Sequence, residues 1–547
     1  MSSQHETQVT TTDTDVVVVG AGFAGLYLLH RLRGQGLNVR VFEAGSGVGG
    51  TWFWNRYPGA RCDVESLDYQ YSFSEDLLRE WKWTERYPRQ DELLAYLNFV
   101  ADRLKLRDGI TLDTRVTGAL FDEAANTWAV ETDKGDKLTT RYVIMGTGCL
   151  STAKRPEFQG LDSFQGDWYH TGSWPHEGVD FTGKRVAVIG TGSSGMQTIP
   201  IVAEQADHVF VLQRTANYSV PANNGPLAEE TVAEVLDSFE DRRKFARESF
   251  LGFSVPSNEQ SALAVSEEER NAEFEARWQM GGLPMYGAFA DILIDPAAND
   301  TAVEFFRGKI RERVADPATA ELLTPKGYRL GAKRICVDTD YLETFNRDNV
   351  TLLDVKVTPI ERITPNGVHV DGVEHEMDAI IFATGFDAMT GSMMKIDVRG
   401  RGGVTLQQKW SEGPKTYLGL AIAGFPNMFM VTGPGSPSVF SNMIVSIEQH
   451  VEWISDALEH ATANSYDAFE ATDAAETEWV DHVNLVADST LLPEGNSWYI
   501  GANIPGKPRV FMPYLGGVGA YRQKCDEVAA AGYDGFTLRS TLAVSQA

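Results

Sequence analysis

The strongest constraint on the fold is a pair of glycine-rich turns, each placed directly after an apolar run. The chain has 547 residues, and the pattern G-x-G-x-x-G occurs at residues 20–25, after Val16 to Val19, and again at residues 190–195, after residues 185–189. A glycine turn between a buried strand and a helix is the phosphate-binding turn of a Rossmann fold. The sequence therefore predicts an α/β protein with two Rossmann-like dinucleotide-binding domains.

The two turns differ at the end of the strand that follows each of them. The first unit has Glu43, and at the corresponding position the second has Gln213, followed by Arg214 and Thr215. A carboxylate accepts hydrogen bonds from the ribose hydroxyls and repels a 2′-phosphate, whereas a guanidinium can bind that phosphate with two hydrogen bonds. We therefore predict FAD at the first turn and NADPH at the second, although Arg214 could also be an ordinary surface cation.

Residues 164–175, between the two turns, are rich in glycine and aromatic residues and end in proline. This composition argues against a regular helix or a plain strand and indicates an ordered linker between the two nucleotide-binding units. The segment resembles the fingerprint F-x-G-x-x-x-H-x-x-x-W-P of Baeyer–Villiger monooxygenases. The matching residues are Phe164, Gly166, His170, Trp174 and Pro175. An interdomain hinge whose aromatic residues simply pack is the alternative interpretation.

Further segments extend this resemblance over residues 13–536 and bring it closest to the phenylacetone and steroid monooxygenase branch, with cyclohexanone monooxygenase further away. They are the glycine cluster at 45–54, the stretch 55–63, the segment 333–347, the A-T-G motif at 383–385, the loop 434–443 and the segment 496–507, which resembles the family's mobile control loop. The loop 434–443 and the segment 333–347 are the ones that support the placement in that branch. The resemblance implies that FAD, reduced by NADPH, reacts with O₂ to give a C4a-peroxyflavin. One oxygen atom is then inserted next to the carbonyl of a small ketone, giving an ester or lactone.

The resemblance also implies which residues carry this chemistry. Arg334 would face the flavin and stabilise an anion, Asp63 would hold Arg334, and His170 would complete the catalytic set by orienting the cofactor domain. Spacing alone would leave Lys333 and Arg334 as surface cations and Asp63 as a solvated loop acid. The substrate pocket would be formed by Val439, Phe440 and Met443, in a stretch that could equally be an ordinary turn.

The cofactor contacts implied by the motifs and the resemblance lie in four parts of the chain. They are Gly20, Gly22, Phe23, Ala24, Gly25, Glu43, Gly50, Thr51, Trp52, Asp63 and Tyr69; then Gly190, Thr191, Gly192, Ser193, Ser194, Gly195, Gln197, Arg214 and Thr215; then Lys333, Arg334, Ala383, Thr384 and Gly385; and finally Trp498. By residue type, Trp52 could equally be a core residue.

The order of the motifs predicts that the NADP domain is inserted in the FAD domain and carries a helical insertion. The predicted boundaries are 1–148 for the first part of the FAD domain, 149–220 for the first part of the NADP domain with the fingerprint linker, 221–331 for the helical insertion, 332–384 for the second part of the NADP domain, and 385–547 for the second part of the FAD domain with the control loop.

Composition excludes several other classes of protein. The 48 Lys and Arg against 76 Asp and Glu give a net charge of −28, which argues against nucleic acid or an anionic membrane as a partner. The four cysteines form no C-x-x-C pair, so we expect neither a metal site nor disulfides. Residues 1–14 lack an apolar signal region and no apolar run reaches about 18 residues, so we expect a cytoplasmic protein. The oligomeric state is open, and a monomer is compatible with the sequence.

Three other functions share part of this pattern. A flavin monooxygenase that oxidises amines or sulfides would have both glycine turns but would not be expected to carry the fingerprint. A pyridine-nucleotide disulfide reductase would need a redox-active cysteine pair, which the chain lacks. A non-catalytic redox sensor that binds FAD and NADPH would show no oxygen uptake coupled to a substrate.

Overall fold

A computed structural model describes residues 12–540, so most of the N-terminal segment considered above lies outside the described residues. Within that range the chain forms strands in the following order: β1 Thr14–Val19, β2 Val39–Phe42, β3 Ile110–Thr111, β4 Val116–Asp122, β5 Thr127–Thr132, β6 Lys137–Met145, β7 Asp167–His170, β8 Arg185–Ile189, β9 His208–Gln213, β10 Ser219–Pro221, β11 Cys336–Asp338, β12 Val350–Asp354, β13 Ile360–Thr364, β14 Gly367–Val370, β15 Val373–Glu376, β16 Ala379–Phe382, β17 Asp397–Arg399, β18 Met428–Met430, β19 Ala468–Ala471 and β20 Phe536–Arg539.

The α-helices of the described range are α1 Phe23–Gly34, α2 Thr51–Trp54, α3 Glu75–Glu80, α4 Gln90–Arg103, α5 Ser193–Gln205, α6 Glu229–Asp237, α7 Phe239–Glu248, α8 Glu267–Met280, α9 Pro296–Arg313, α10 Pro317–Leu323, α11 Tyr341–Thr344, α12 Leu406–Lys409, α13 Met443–Ala463, α14 Asp473–Asp488 and α15 Val518–Ala530. Side-chain caps explain where several begin. Ser266 forms a capping box with Glu269 at the start of α8, and Asp295 caps α9 ahead of Pro296.

The first sheet carries the first glycine turn. Its eight strands run in the order β17-β4-β5-β6-β1-β2-β3, with β18 paired to β6. β1 is parallel to both β2 and β6, and its residues Val16 to Val18 are fully buried, as expected for the central strand of a sheet covered on both faces.

The second sheet carries the second glycine turn and is wholly parallel, in the order β12-β9-β8-β16-β7. Its edge strand β7 comes from the middle of the fingerprint, so the prediction that this segment contains no plain strand was wrong. The segment forms a strand because its backbone groups pair with those of β16. As an edge strand it can keep one face toward solvent, and the large side chain of Trp168 lies partly exposed there. The tight approach of Gly166 to the carbonyl of Asp378 lets the chain enter this edge.

The first sheet combines strands β1 to β6 with two strands from later in the chain, since β17 pairs with β4 and β18 pairs with β6. All five strands of the second sheet come from the part of the chain between β6 and β17. This is the topology of one nucleotide-binding domain inserted in another. Helices α6 to α10 lie between β10 and β11, in the stretch predicted to be a helical insertion. The exact domain boundaries stay predictions.

The flavin side of the chain docks on α5 through the loop 57–61. Tyr57 donates a hydrogen bond to Oε1 of Gln197 (2.8 Å), and Nε2 of Gln197 donates to the carbonyl of Arg61 (3.0 Å). Gly59 has a φ of +78°, and a Cβ there would lie 2.1 Å from the carbonyl oxygen of Gln197. Only glycine therefore permits this close contact between the two nucleotide-binding units.

We expect Gly59→Ala to lower the free energy of unfolding more than Gly178→Ala does. Both glycines have nearly the same φ, +78° and +77°, but Gly178 has nothing within 4 Å of its added Cβ. The control therefore carries only the backbone strain, about 1–2 kcal/mol, while Gly59→Ala also forces the loop off α5. Denaturant unfolding of both variants measures the difference, and equal losses would show that the docking contact is not tight.

Candidate active site

One large cavity lies where both glycine turns end. Its volume is about 1480 Å³, above the roughly 300–1,000 Å³ typical of a small-molecule pocket. The lining includes residues from the first turn, the second turn, the loop 61–64, the segment 333–336, the A-T-G motif and the control loop. Space of this size, lined by both turns, suits two dinucleotides and a small substrate.

The flavin side of the cavity is built around Glu43, a buried residue that is 5% exposed. Its oxygens accept hydrogen bonds from the backbone N–H groups of Ala21 and Gly45, both at 2.8 Å. Burial raises the pKa of Glu43, and these two hydrogen bonds oppose the rise. Each oxygen keeps a lone pair for a ribose hydroxyl. Asn55 also lines the cavity, and Oδ1 of this buried residue has no hydrogen-bond partner among the described residues. These acceptors can receive hydrogen bonds from a bound cofactor, so the site fits FAD.

Two cations, Arg214 and Lys333, lie on the cavity together with the second turn. Arg214 and Lys333 both line the cavity, and neither forms a salt bridge with a described residue. Nζ of Lys333 lies 4.6 Å from the ring centre of Tyr328. Burial, and then the nearby charge of Arg214, lower the pKa of Lys333. Two adjacent uncompensated cations fit the 2′-phosphate of NADPH.

Arg334 lies on the same cavity, between the two cofactor sides. Its Nε and Nη2 donate to the two carboxylate oxygens of Asp63 at 2.7 and 3.0 Å, and its Nη1 donates to the carbonyl of Val439 at 2.7 Å. Burial alone would lower the pKa of the guanidinium, but Asp63 outweighs it and the pKa is raised. The structure thus brings together the predicted cation, the predicted partner acid and the predicted substrate loop.

His170 lies away from the described lining of this cavity. Its Nδ1 accepts a hydrogen bond from the backbone N–H of Gly172 (3.0 Å), and its Nε2 is 3.3 Å from Oγ1 of Thr384 in the A-T-G motif. Burial lowers the pKa of His170 to about 4. The ring is therefore neutral and ties the fingerprint to the A-T-G motif, which suits an orienting role rather than proton transfer.

Three more predicted site residues lie outside the described lining. Phe440 is behind it, with its ring 6.1 Å from that of Phe250, whereas Val439 and Met443 line the cavity. Gly25 and Gly195 face their own turns, where a Cβ would lie 1.9 Å from the carbonyl of Gly20 and 2.1 Å from that of Gly190, respectively. These two glycines therefore let each helix start close to its strand instead of touching a ligand.

The sequence analysis missed several residues that line the cavity. Tyr57 and Arg61 adjoin a matched motif and could have been found from it. Asn217 was missed although its Nδ2 donates to the carbonyl of Thr191 in the second turn (2.7 Å), because nothing in its local sequence marks it. Asn503 belongs to the control loop and was passed over in favour of Trp498.

The two cofactor sides and the cation between them define a flavoprotein monooxygenase that uses a nicotinamide dinucleotide. A sequence model described as "Pyridine nucleotide-disulphide oxidoreductase" matches residues 17–241. A Baeyer-Villiger monooxygenase of Pseudooceanicola batsensis is 47% identical over 97% of this chain and 98% of its own length. The phenazine N-monooxygenase PhzNO1 of Lysobacter antibioticus is 46% identical over 97% of this chain and 98% of its own.

Structural similarity agrees with these relatives. A steroid monooxygenase solved with NADP bound is 55% identical and superposes with a TM-score of 0.93, covering 96% of this chain and 99% of that one. The chain belongs to the Baeyer–Villiger monooxygenase family. Among residues 12–540, no helix is both long and apolar enough to cross a bilayer, and no cluster of His, Cys, Asp and Glu has the makings of a metal site.

The pKa of His170 gives a test of its neutral state. Between the ordinary histidine pKa of 6.5 and the folded pKa of about 4, His170 binds a proton in the unfolded chain but not in the folded protein. The contribution of His170 to the free energy of unfolding therefore decreases as the pH falls through this window. We expect the stability difference between the parent and His170→Gln to shrink from pH 7.5 to pH 5, measured by denaturant unfolding. A difference that stays constant over this range would show that folded His170 takes up the proton.

Proposed function

We propose that this FAD-dependent, NADPH-consuming Baeyer–Villiger monooxygenase inserts one oxygen atom of O₂ next to the carbonyl of a small ketone at the cavity beside Arg334. The observation that carries the proposal is the Arg334–Asp63 ion pair on a cavity shared by both glycine turns. Bound FAD, once reduced by NADPH, supplies the activated oxygen. The ester or lactone formed from a ketone under ¹⁸O₂ should contain one heavy oxygen atom, and its absence would rule out the activity.

Arg334 supplies a positive charge where negative charge develops as oxygen adds to the ketone carbonyl. A guanidinium is charged at every working pH, and in a site with little water its attraction for an anion is much stronger than in bulk solvent. Asp63 fixes the plane of the guanidinium with two hydrogen bonds, and the carbonyl of Val439 fixes one end. The side chain therefore needs little reorganisation during the reaction.

The control loop helps to exclude water from this site. Trp498 and Asn503 line the cavity, and Lys507 ties the end of the loop to Asp387 (2.7 Å). Water and free protons would divert reducing equivalents to hydrogen peroxide, so a closed loop favours the ester. We also propose that the predicted cofactor residues divide between the two cofactors. Glu43 contacts FAD, whereas Arg214, Thr215 and Lys333 contact NADPH.

A second activity is favoured by one relative, since the phenazine N-monooxygenase is 46% identical to this chain. Oxygen transfer to a heteroaromatic nitrogen could use the same cofactors. Mass spectrometry of the products from a ketone panel and from phenazine-type heteroaromatic compounds separates the two activities, because an N-oxide retains the carbon skeleton of its substrate, whereas an ester or lactone has an oxygen atom inserted between two carbon atoms. The cytoplasmic location, a monomeric state and the domain boundaries stay predictions.

We expect Arg214→Ala to raise the KM for NADPH about ten- to a hundredfold, which corresponds to losing one charge-assisted contact of about 1.5–3 kcal/mol, and to change the KM for NADH much less. Arg347→Ala is the matched control, because Arg347 precedes the start of β12, which runs parallel to β9, whereas Arg214 follows the end of β9. Steady-state kinetics with both cofactors measure the effect. Equal losses with NADPH and NADH would mean that Arg214 does not contact the phosphate.

We expect Arg334→Ala to bind FAD and accept hydride, yet to lose about 10²–10³-fold in the rate of ester formation, the usual cost of removing one stabilising donor. Asp63→Ala should act in the same direction but less strongly, since the cation remains and is badly held. Stopped-flow reduction and product analysis measure the two steps separately. Ester formation at the parent rate by Arg334→Ala would exclude the role assigned to this cation.

A further inference from the structure

A second cavity, of about 640 Å³, shares a wall with the first. Helix α13 forms part of that wall, since Met443 and Ile447 line the first cavity, whereas Ile444, Val445 and Glu448 line the second. Residues four positions apart lie on one face of a helix, so the two cavities contact different faces of the same helical turns. A volume of this size is within the range of a small-molecule site.

The loop 67–70 also belongs to the shared wall. Tyr69 lines the first cavity, whereas Asp68 and Gln70 line the second. Nδ2 of Asn442, the residue that caps α13, donates a hydrogen bond to the carbonyl of Asp68 (2.7 Å). This contact joins the loop to the start of the helix, so the second cavity is a compartment separate from the one that both glycine turns line.

Helix α6 presents an apolar face to the second cavity. No residue of α6 is fully buried, yet Val232 and Leu236, one turn apart, line the cavity together with Phe239. Trp81 and Trp83 add aromatic surface from the other side of the chain's first glycine domain. Because protein interiors are normally close-packed, apolar side chains around an open space of this size favour a ligand with an apolar body.

Arg243 on α7 brings hydrogen-bond donors to the same lining. Its Nε donates to Oγ of Ser72 (3.1 Å), but neither Nη1 nor Nη2 donates a hydrogen bond to a described residue. The carboxylate oxygens within reach of those two atoms, on Glu240 and Glu452, lie at 3.9 and 4.0 Å, too far for a hydrogen bond. The guanidinium therefore keeps both terminal nitrogens for a ligand, and two such nitrogens suit a carboxylate.

The buried acids near Arg243 are engaged by other donors. Glu448 is 1% exposed, and its two oxygens accept from the backbone N–H (2.5 Å) and from the hydroxyl of Ser72. Glu452 accepts from Nη2 of Arg247 (3.0 Å) and from the hydroxyl of Tyr27 (3.3 Å). The described lining holds five Lys and Arg against three carboxylates. The polar part of the cavity thus offers spare donors and a net positive charge, which favours an anionic head group.

We propose that the second cavity is a binding site for a small monocarboxylate with an apolar body. The carboxylate contacts Nη1 and Nη2 of Arg243, and the body lies against the apolar face of α6. The ligand differs in class from the ketone of the proposed function, because a ketone lacks the charge that a bidentate guanidinium binds best. The site does not depend on the reaction proposed at the first cavity.

Calorimetric titration of the FAD-loaded protein with decanoate tests the site, in the presence of saturating NADP⁺ so that the first cavity is occupied. We expect one site per chain and a dissociation constant at least about tenfold lower for decanoate than for 1-decanol, since only the acid makes charge-assisted hydrogen bonds. Absence of decanoate binding would overturn the proposal. Tighter binding of decylammonium than of decanoate would also overturn it, because an acid would then recognise the head group.

Arg243→Met removes the donors and keeps most of the apolar stem. We expect the dissociation constant of decanoate to rise about ten- to a hundredfold and that of 1-decanol to stay within about twofold. Lys244→Met is the matched control, because it removes the same charge from the next position of α7, where the side chain is exposed and outside the cavity lining. Equal weakening of both probes by Arg243→Met, or of decanoate by the control, would overturn the role of Arg243.

Val232→Trp tests the apolar part of the site, because the larger side chain fills space beside α6. We expect this variant to lose both decanoate and 1-decanol, while NADPH-driven flavin reduction stays within about twofold of the parent. The reduction rate shows that the variant is folded and that the first cavity is intact. Decanoate binding at the parent affinity would place the probe elsewhere and overturn the proposal.

Discussion

The ion pair between Arg334 and Asp63 is the interaction on which the rest of the site depends. It joins the segment that leads into β11 to the loop that follows the first glycine cluster, which are far apart in the chain. Burying two charges costs free energy that their attraction need not recover, so such a pair is weak support for a stabilising role. Its two well-formed hydrogen bonds, with a third to Val439, instead hold the cation in one orientation, as the role that we propose for it requires.

A second contact works with the ion pair to set the distance between the two nucleotide sites. Gln197 on α5 holds the loop 57–61 through Tyr57 and the carbonyl of Arg61, only a few residues before Asp63. The short stretch from residue 57 to residue 63 therefore contacts both α5, which follows the second glycine turn, and Arg334, which we propose to lie beside the flavin. A glycine at position 59 is needed for this approach, because a Cβ there would lie 2.1 Å from the carbonyl oxygen of Gln197.

Much of this could be predicted from the sequence, because the informative features are local. A glycine turn between a buried strand and a helix is specified within a few residues, and so are the capping box at Ser266 and the exchange of Glu43 for Gln213 and Arg214. The strand β7 escaped prediction because its residues are a poor match for a buried strand, and only pairing with β16 at a sheet edge makes them one. Asn217 and the placement of Phe440 behind the cavity escaped because they depend on contacts between distant segments.

The overall charge of the chain was also a poor guide to the site, for a physical reason. The chain carries −28, which suits repulsion of nucleic acid, yet the described lining of the cavity contains eight Lys and Arg against three carboxylates. The cations are Arg61, Arg115, Lys154, Arg155, Arg214, Lys333, Arg334 and Lys395, and the acids are Glu43, Asp63 and Glu157. Both expected cofactors are anions with several phosphate charges. A cleft of one sign concentrates ligands of the opposite sign even when the protein as a whole repels them, so the acidic surface and the basic cavity are compatible. Of the three acids, Asp63 is paired with Arg334 and Glu43 is the residue that we propose to bind a ribose hydroxyl, so the net positive charge of the lining still favours phosphate groups.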